Sequence, residues 1–275
     1  GEIAAWVNII SLNANHDTKI WMYYGNPTCS SQQNPADTWD SYFGGVWHLN
    51  EINAIDSSGN GNNGTQTGDP TVNTGIVNSS VDFHGTPPNT NPDYISLGTD
   101  SSIDLANADT YTIEMWVYMD SNAVDQMFFT QSQGSSSWNI GFGTHDNDIP
   151  NNHIKHITRD DDGTSRDVID SETIATGCWI YIAGTYNNGI ADNKTIYING
   201  TLANYTNSGI NNLRDGPTTA TLIGYGGDLG AYDGRIDELR ISTNVRSSGW
   251  IQTTYNTIKN PASFLSLGTE ETQTA

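Results

Sequence analysis

Basic residues are scarce in this 275-residue sequence, which holds 10 lysines and arginines against 31 aspartates and glutamates, a formal net charge of -21. A surface with this charge repels phosphate backbones and anionic lipid headgroups. The composition therefore argues against a nucleic-acid partner and against binding to a membrane surface. The same charge attracts divalent cations and keeps an extracellular protein soluble.

Long apolar runs are also missing, since no stretch reaches the roughly 20 residues that a membrane-spanning helix needs. No signal peptide is visible, so a secreted protein would be present here in a processed or trimmed form. The two cysteines, Cys29 and Cys178, could form a disulfide in an oxidising compartment or stay separate thiols in a reducing one. There is no Gly-x-Ser-x-Gly nucleophile elbow and no phosphate-binding loop.

Thr, Ser, Asn, Gly, Tyr and Trp dominate the sequence, which favours strands separated by tight turns. Short segments with strand character recur at even spacing, and only residues 248–258 have helical character. The predicted strands cover residues 46–49, 81–84, 94–97, 111–118, 127–130, 138–142, 153–158, 165–170, 178–186, 194–198, 201–205, 220–224, 235–242 and 264–267. This pattern predicts an all-β, two-sheet antiparallel jelly-roll sandwich.

The N-terminal region has a different pattern from the main body. Residues 3–12 and 18–24 indicate two strands joined by a polar turn, and residues 28–40 have the composition of a linker. The sequence thus predicts an N-terminal β-hairpin over 1–27, a linker over 28–40, a jelly roll over 41–270 and a tail over 271–275. Two strands cannot bury a core, so the hairpin must pair with the main domain, a preceding segment or another chain.

Five motifs support a more specific interpretation of the main body. They are Asp56-Ser-Ser-Gly-Asn-Gly-Asn-Asn-Gly64, Val81-Asp-Phe83 followed by Tyr94-Ile95, Tyr111-Thr-Ile-Glu-Met-Trp-Val117, Ile196-Tyr-Ile-Asn-Gly200 and Tyr232-Asp-Gly-Arg-Ile-Asp-Glu-Leu-Arg-Ile241. Their order, over residues 44–268, resembles that of laminin-G-like (concanavalin-A-like) jelly-roll domains. The first hairpin, with Tyr23-Tyr-Gly-Asn-Pro27, resembles the end of a small uncharacterised β-domain that often precedes such modules in archaeal and bacterial surface proteins.

The resemblance raises the question of catalysis, because the same fold occurs in glucanases. Such enzymes place two or three carboxylates at alternate positions on one face of a strand. Glu114 has Thr112, Trp116 and Tyr118 as same-face neighbours, so we expect an exposed strand residue. Asp237 and Glu238 are adjacent and should point to opposite faces. The sequence therefore predicts a protein that is not an enzyme.

Calcium is the cofactor that the resemblance implies. Asp56 opens a loop of turn residues, and Asp237 could supply a second carboxylate from a neighbouring strand, with Asn60 and Asn62 as further oxygen ligands. Calcium takes six to eight oxygens, so two carboxylates alone are insufficient. The alternative is an ordinary turn at Asp56 and an ion pair between Asp237 and a nearby arginine.

Two other stretches, one acidic and one rich in histidine, are weaker candidates for a metal site than Asp56 and Asp237. Asp160-Asp-Asp-Gly163 has consecutive rather than alternate acids, and its last two residues favour a hairpin turn over a calcium loop. His145, Asp146, Asp148, His153 and His156 lie close together in sequence. His153 and His156 should face opposite ways on a strand, so we interpret this group as surface polar residues.

Aromatic residues in polar or glycine-rich surroundings are candidates for a glycan platform, and Trp138, Tyr225 and Tyr232 fit this description. The alternative is that they pack in the core, as most aromatics of a sandwich do. Five Asn-x-Ser/Thr sequons are candidate glycosylation sites: Asn63, Asn78, Asn193, Asn199 and Asn204.

These features predict a non-catalytic, extracellular cell-surface module for adhesion or for recognition of a glycan or surface protein, stabilised by calcium. One alternative is a glycosylated subunit of a filament or surface layer that binds copies of itself by strand donation from the N-terminal hairpin. A glycoside hydrolase is a third alternative, and it requires a carboxylate pair that lines a cleft.

Overall fold

The computed structural model describes residues 4–13, 15–86, 92–106, 108–122, 125–133, 139–144, 153–160, 163–170, 174–188, 194–206, 213, 218–227 and 230–271. These residues form fifteen strands and three short helices, which confirms the all-β prediction. The elements are α1 Pro35–Thr38, β1 Phe43–Trp47, β2 Thr65–Thr67, β3 Thr71–Thr74, β4 Ser79–His84, β5 Tyr94–Gly98, β6 Thr110–Met119, β7 Met127–Gln133, β8 Ile140–Gly143, β9 Lys155–Arg159, β10 Ser165–Ile169, β11 Trp179–Asn187, β12 Lys194–Ile198, β13 Thr201–Thr206, β14 Thr218–Ile223, β15 Asp233–Ser242, α2 Ser248–Lys259 and α3 Pro261–Phe264.

The strands form two antiparallel sheets, as predicted for a jelly-roll sandwich. The eight-stranded sheet has the order β13-β12-β11-β6-β15-β4-β3, with β1 also paired to β15. The seven-stranded sheet has the order β10-β9-β8-β7-β14-β5-β2. β15 is long enough to pair with β4 along its first half and with β1 along its second half. The first strand of the sandwich is thus held by β15, on the same side as β4.

The core lies between the sheets and follows the predicted alternation in β6. Tyr111, Ile113, Met115 and Val117 are completely buried on the inner face. The opposite face of β6 is also buried, because Trp116 belongs to a second cluster beneath α2. β2 and β3 are short, polar and exposed edge strands, and their lack of apolar alternation explains why the sequence does not indicate them.

The predicted N-terminal hairpin is wrong, because no strand occurs in residues 4–13 or 15–27. A two-stranded ribbon needs a third strand or a helix to cover its apolar face. Much of this segment instead leaves large apolar side chains exposed: Val7, Ile10, Leu12, Ile20, Trp21, Met22, Tyr23 and Tyr24. The segment is held near its start, where the Trp6 ring stacks on His48 with centroids 5.8 Å apart.

The regions that flank the sandwich also differ from prediction. The linker over 28–40 ends in helix α1, and Asp40 makes a bidentate ion pair with Arg246 at 2.7 and 2.9 Å. The helix predicted over 248–258 is confirmed as α2. The strand predicted over 264–267 is wrong, since Phe264 ends α3 and Leu267 is 96% exposed with no paired neighbour strand.

The two cysteines do not form the disulfide that the sequence allowed. Both are free and exposed. The Cys29 thiol donates to the Ser30 carbonyl at 3.3 Å, whereas the Cys178 thiol donates to the Ala175 carbonyl at 3.7 Å. The two thiols therefore belong to separate local turns.

Candidate functional site

A pair of stacked tyrosines lies on the outer face of the seven-stranded sheet. Tyr94 is in β5, where Ile95 and Leu97 point into the core, so Tyr94 points outward. Its ring stacks on Tyr225 with centroids 5.4 Å apart and planes inclined by 19°. Both residues are partly exposed. This tyrosine pair, Tyr94 with Tyr225, is therefore a partly exposed aromatic surface.

An open pocket with a volume of about 520 Å³ lies beside the tyrosine pair. Its lining residues are Thr67, Gly68, Asp69, His84, Pro92 and Asp93, and we call it the Asp93 pocket. Thr67 is the direct cross-strand partner of Tyr94, and such partners share one face of a sheet. The pocket and the tyrosine pair are therefore adjacent.

Asp93 is buried beneath the pocket and connects two of the chain segments that line it. Its carboxylate is buried and accepts hydrogen bonds from the backbone N–H of Asp69 at 2.7 Å and of His84 at 3.0 Å. The same carboxylate lies 3.3 Å from Nδ1 of His84, whose side chain is 52% exposed. Asp93 thereby fixes two chain segments and the orientation of the imidazole.

The sequence-predicted glycan residues have different outcomes. Tyr225 belongs to the tyrosine pair, whereas Trp138 lies outside the described residues. Tyr232 is completely buried, packs on Phe83 and Phe128, and donates its hydroxyl to the Tyr118 carbonyl at 2.8 Å. It is a core residue, so its assignment to a binding site is wrong. Sequence reasoning missed Tyr94 and Asp93, and the only signal for Tyr94 is its place opposite two core residues in an alternating strand.

Asp56 organises the loop in which calcium is predicted. Its carboxylate accepts hydrogen bonds from the N–H of Val46 at 3.0 Å and of Ser58 at 2.8 Å, from the N–H of Asn62 at 3.0 Å, and from the Ser58 hydroxyl at 2.8 Å. The amide nitrogens of Asn60 and Asn62 both donate to the Gly44 carbonyl. This arrangement is a hydrogen-bonded turn. The groups that contact the Asp56 carboxylate are N–H donors and the Ser58 hydroxyl, whereas a calcium site needs several further oxygen ligands.

Asp237 lies in a different set of hydrogen bonds. One carboxylate oxygen accepts from the N–H of Ile76 at 2.9 Å and of Val77 at 3.0 Å. Burial first, and then the charge of Glu238, raise the pKa of Asp237 to about 8. Among the described residues, no group of three or more His, Cys, Asp or Glu side chains could hold a metal ion. Calcium binding at Asp56, Asn60, Asn62 and Asp237 stays a prediction.

A β-bulge in β15 changes the expected directions of its acidic side chains. Asp237 pairs with Trp116 and Arg240 pairs with Glu114, so β15 carries an extra residue over this stretch relative to β6. Glu238, the residue after Asp237, has a left-handed φ of 52°. The bulge brings Glu238 and Glu114 to the same guanidinium, at 2.7 and 2.9 Å from Arg240. Simple strand alternation, on which the prediction for Asp237 and Glu238 depends, does not hold at a bulge. The sequence analysis therefore missed the ion pairs of Glu114 and Glu238 with Arg240.

Glu114 is buried, contrary to the expectation of an exposed strand residue, and it also accepts a hydrogen bond from the Tyr181 hydroxyl at 2.8 Å. Burial opposes ionisation of Glu238, but the hydrogen bond from His48 and the charge of Arg240 lower its pKa. Trp6 covers the group, with its ring 4.5 Å from the Arg240 guanidinium. These carboxylates are ion-paired with Arg240 and buried beneath Trp6, so they do not line a cleft.

The acidic and histidine-rich stretches form ordinary structure where they are described. The Asp160 carbonyl accepts the N–H of Gly163 at 2.8 Å in the turn between β9 and β10, as predicted for a hairpin. His153 bonds to Asp170 at 2.7 Å. His156 is completely buried rather than on the surface, and its Nε2 lies 2.8 Å from the Tyr111 hydroxyl. The remaining residues of these stretches lie outside the described residues: Asp161, Asp162, His145, Asp146 and Asp148.

Four of the five sequons fall on described residues, and their asparagines are exposed. Asn63 accepts the N–H of Asp56 at 2.9 Å, and Asn199 accepts the N–H of Tyr181 at 3.1 Å. Asn78 donates to Asn50 at 3.2 Å, and Asn204 donates to the Ile169 carbonyl at 2.8 Å. Asn193 lies outside the described residues. Glycosylation of these sites stays a prediction.

The order of the strands and the family match give the same assignment. Residues 89–252 match the concanavalin A-like lectin/glucanases superfamily, and this match spans more than half of the chain. The chain belongs to that superfamily. Residues 2–67 match a domain of unknown function (DUF2341). No curated protein matches the chain.

Solved structures with the same fold include binding domains. Domain 4 of AbnA, a GH43 extracellular arabinanase from Geobacillus stearothermophilus solved in complex with arabinotriose, has a TM-score of 0.61 and 19% identity, covering 77% of this chain and 97% of that chain. The binding domain of Paraclostridial Mosquitocidal Protein 1 has a TM-score of 0.62 and 18% identity, covering 82% of this chain and 54% of that one. The binding domain of Botulinum neurotoxin DC, in complex with rat synaptotagmin II, has a TM-score of 0.60 and 14% identity, covering 80% and 52%.

These identities show a shared fold alone, and this chain spans about half the length of the two toxin domains. No helix among the described residues is long and apolar enough to cross a membrane.

The two family matches divide the chain differently from the structure. The match to the domain of unknown function ends at residue 67, yet β1 and β2 lie before that point and belong to the two sheets of the sandwich. Trp47 of β1 is completely buried, and its indole N–H donates to the Asn62 carbonyl at 2.7 Å. The sandwich therefore begins at Phe43, inside the region that matches the domain of unknown function.

Proposed function

We propose that this protein is a non-catalytic carbohydrate-binding module that acts outside the cell, with the tyrosine pair and the Asp93 pocket as its glycan-binding surface. The observation that carries the proposal is the stacked, partly exposed pair of Tyr94 and Tyr225 beside an open polar pocket. A sugar ring presents an apolar C–H face and polar hydroxyls, which suit such a combination.

The carboxylates of the larger sheet support the non-catalytic part of the proposal. Glycoside hydrolysis needs an acid and a second carboxylate on either side of the scissile bond, with room for the substrate. Glu114 and Glu238 are each 2% exposed, and both pair with Arg240. A substrate cannot reach them unless Trp6 and its neighbours move away.

The acidic composition, the exposed sequons and the fold shared with a domain of an extracellular arabinanase support an extracellular location. Adhesion to a glycan-bearing surface is a role that suits this location.

Calcium bound at Asp56 would stiffen the loop that follows β1. The test compares the melting temperature of the protein in calcium with that in EDTA. We expect a higher melting temperature in calcium, and no such difference in the variant Asp56→Asn.

A glycan array followed by calorimetry on the array hits tests the glycan-binding surface. We expect Tyr94→Ala and Tyr225→Ala each to weaken binding at least about tenfold, because truncated aromatic anchors often cost more than about 1.4 kcal/mol. Tyr205→Ala is the matched control, since Tyr205 is 52% exposed in β13 of the other sheet. Equal binding by all three variants, with unchanged melting temperatures, would refute this surface.

A structural subunit that assembles by strand donation is the second candidate, favoured by the exposed apolar side chains of the N-terminal segment, such as Ile10 at 98% exposure. Extended chain with such side chains can add to the edge of a neighbour's sheet. Sedimentation and negative-stain imaging of the full chain and of a chain without residues 1–27 test it. Polymers that disappear with the deletion would support assembly, whereas monomers in both cases would exclude it.

A further inference from the structure

Four of the ten lysines and arginines of this protein lie in its interior. Lys155, Lys194, Arg240 and Arg246 are each more than nine-tenths buried, although the chain has only 10 lysines and arginines. Among the described residues eight of the 31 acidic side chains are buried as well, so the surface keeps a large excess of negative charge. An anion that approaches the surface meets repulsion over distances of about a Debye length, roughly 10 Å at 0.1 M salt.

The Asp93 pocket is acidic in the same way. Asp69 is exposed at its rim, and Asp93 lies beneath it. None of the described lining residues is a lysine or arginine, and only His84 among them can carry a positive charge. That imidazole already faces two carboxylates, with Nδ1 3.3 Å from Asp93 and Nε2 4.0 Å from Asp82.

Arginine and lysine suit sugars that carry a carboxylate or a sulfate, because they provide charge and, in arginine, paired donors. A neutral sugar needs no such partner. Its hydroxyl groups donate to a carboxylate, and its C–H face packs on an aromatic ring. Asp69 and the tyrosine pair, which lies beside the pocket through the pairing of Thr67 with Tyr94, offer those two kinds of contact.

We propose that this site selects uncharged glycans and excludes anionic ones, with the Asp69 carboxylate accepting hydrogen bonds from sugar hydroxyls while the ring packs on Tyr94 and Tyr225. The proposal rests on the proposed function and adds the ligand class to it. Uronic, sialylated and sulfated sugars are repelled by Asp69 and by the carboxylates around His84.

An array that carries neutral and anionic glycans of matched length tests the class of ligand directly. We expect the hits that depend on Tyr94 and Tyr225 to be neutral. Calorimetry with neutral arabinotriose and with trigalacturonic acid, at about 20 and about 300 mM NaCl, provides the quantitative comparison. The anionic trisaccharide should bind at least about tenfold more weakly in low salt, and added salt should narrow that gap because it screens the repulsion.

The variant Asp69→Asn tests the role of the carboxylate charge. It removes one negative charge and one of the two acceptor oxygens, so we expect binding of the anionic sugar to improve and binding of the neutral sugar to weaken, which narrows the ratio of the two affinities several-fold. Asp17→Asn is the matched control, since Asp17 is exposed in the N-terminal segment, outside the pocket. It should leave the ratio of the two affinities unchanged.

Anionic glycans that bind as tightly as neutral ones, with loss of binding in Tyr94→Ala, would overturn the charge selectivity and leave the glycan-binding surface in place. The selectivity is also overturned if Asp69→Asn and Asp17→Asn behave alike. The absence of any glycan that depends on Tyr94 and Tyr225 would instead refute the proposed function itself, and the selectivity with it.

Discussion

Lys194 is a completely buried lysine that joins the two sheets. Its Nζ donates to the Thr158 hydroxyl at 2.8 Å, from β12 in one sheet to β9 in the other. Burial lowers the pKa of Lys194 from 10.5 to about 7, while the charges of Asp167 and Asp160 act in the opposite direction. The folded protein therefore releases this proton well below the pH at which the unfolded chain does.

We predict that Lys194→Met changes the pH dependence of stability. Between about pH 7 and pH 10.5, unfolding of the wild type takes up a proton at Lys194, so its free energy of unfolding should rise with pH across this range. The destabilisation from the buried charge is therefore largest below about pH 7 and declines above it. Without this group the variant should lack that rise and be more stable than the wild type at about pH 6, because it buries no charge.

Urea unfolding of both proteins between about pH 6 and pH 9.5 measures this difference. Asp237 and the buried tyrosines titrate in both proteins, so the difference between the profiles reports Lys194 together with His156, whose pKa is lowered by burial and by the Lys194 charge. Thr158 still donates its hydroxyl to the Arg166 carbonyl at 3.0 Å in the variant, which leaves no orphaned hydroxyl. Parallel pH profiles would contradict a lowered pKa for Lys194.

Helix α2 is an element that depends on a single cap and one apolar stripe. The Ser247 hydroxyl accepts the N–H of Trp250, the usual N-cap bond. Ile251 is buried, and Tyr255 stacks on Trp116 with centroids 5.6 Å apart. The helix thus covers the outer face of the larger sheet beside the buried carboxylates.

We predict that Ser247→Ala destabilises the protein by about 1 kcal/mol, the usual cost of losing an N-cap. Thermal or urea unfolding measures the cost, with Ser248→Ala as the control, since Ser248 is the first residue of α2 and is exposed. An equal loss of stability in both variants would show that the cap bond at Ser247 contributes nothing specific.

Elements with an apolar alternation could be predicted from the sequence, and those without one could not. In β6 and β11 apolar residues recur at every second position, and a strand places such residues on one face. β2 and β3 are polar edge strands that form because β5 and β4 offer them partners. The apolar character of residues 3–12 and 18–24 wrongly predicted strands, because pairing requires a covered face that this segment lacks.

The boundary of the sandwich is a property of the whole molecule. We predict that a chain starting at residue 28 folds with the same sandwich and keeps its glycan-binding surface, with a loss of about 1–2 kcal/mol from the missing Trp6 contacts. A chain starting at residue 68, just after the match to the domain of unknown function, should fail to fold. It lacks Trp47, whose buried side chain alone contributes about 3–5 kcal/mol.

Circular dichroism and two-dimensional NMR of both truncated chains decide between these outcomes. Dispersed amide signals from the chain that starts at residue 68 would contradict the boundary at Phe43. Failure of the chain that starts at residue 28 to fold would show instead that the sandwich also needs the N-terminal segment.

The sequence by itself determined the all-β class, most of the strands and the family, because alternation and turn residues are local patterns that survive without a neighbour. It also singled out Tyr225 as a candidate binding residue, which stays a prediction, but not Tyr94, on which Tyr225 stacks. Only the tertiary structure decided which side chains meet. Strand order places Tyr94 against Tyr225, the bulge in β15 brings Glu238 and Glu114 to Arg240, and burial removes Tyr232 from the surface. Such contacts join residues that are far apart in the chain, as Glu114 and Arg240 are at a separation of 126 positions, and no local pattern records them.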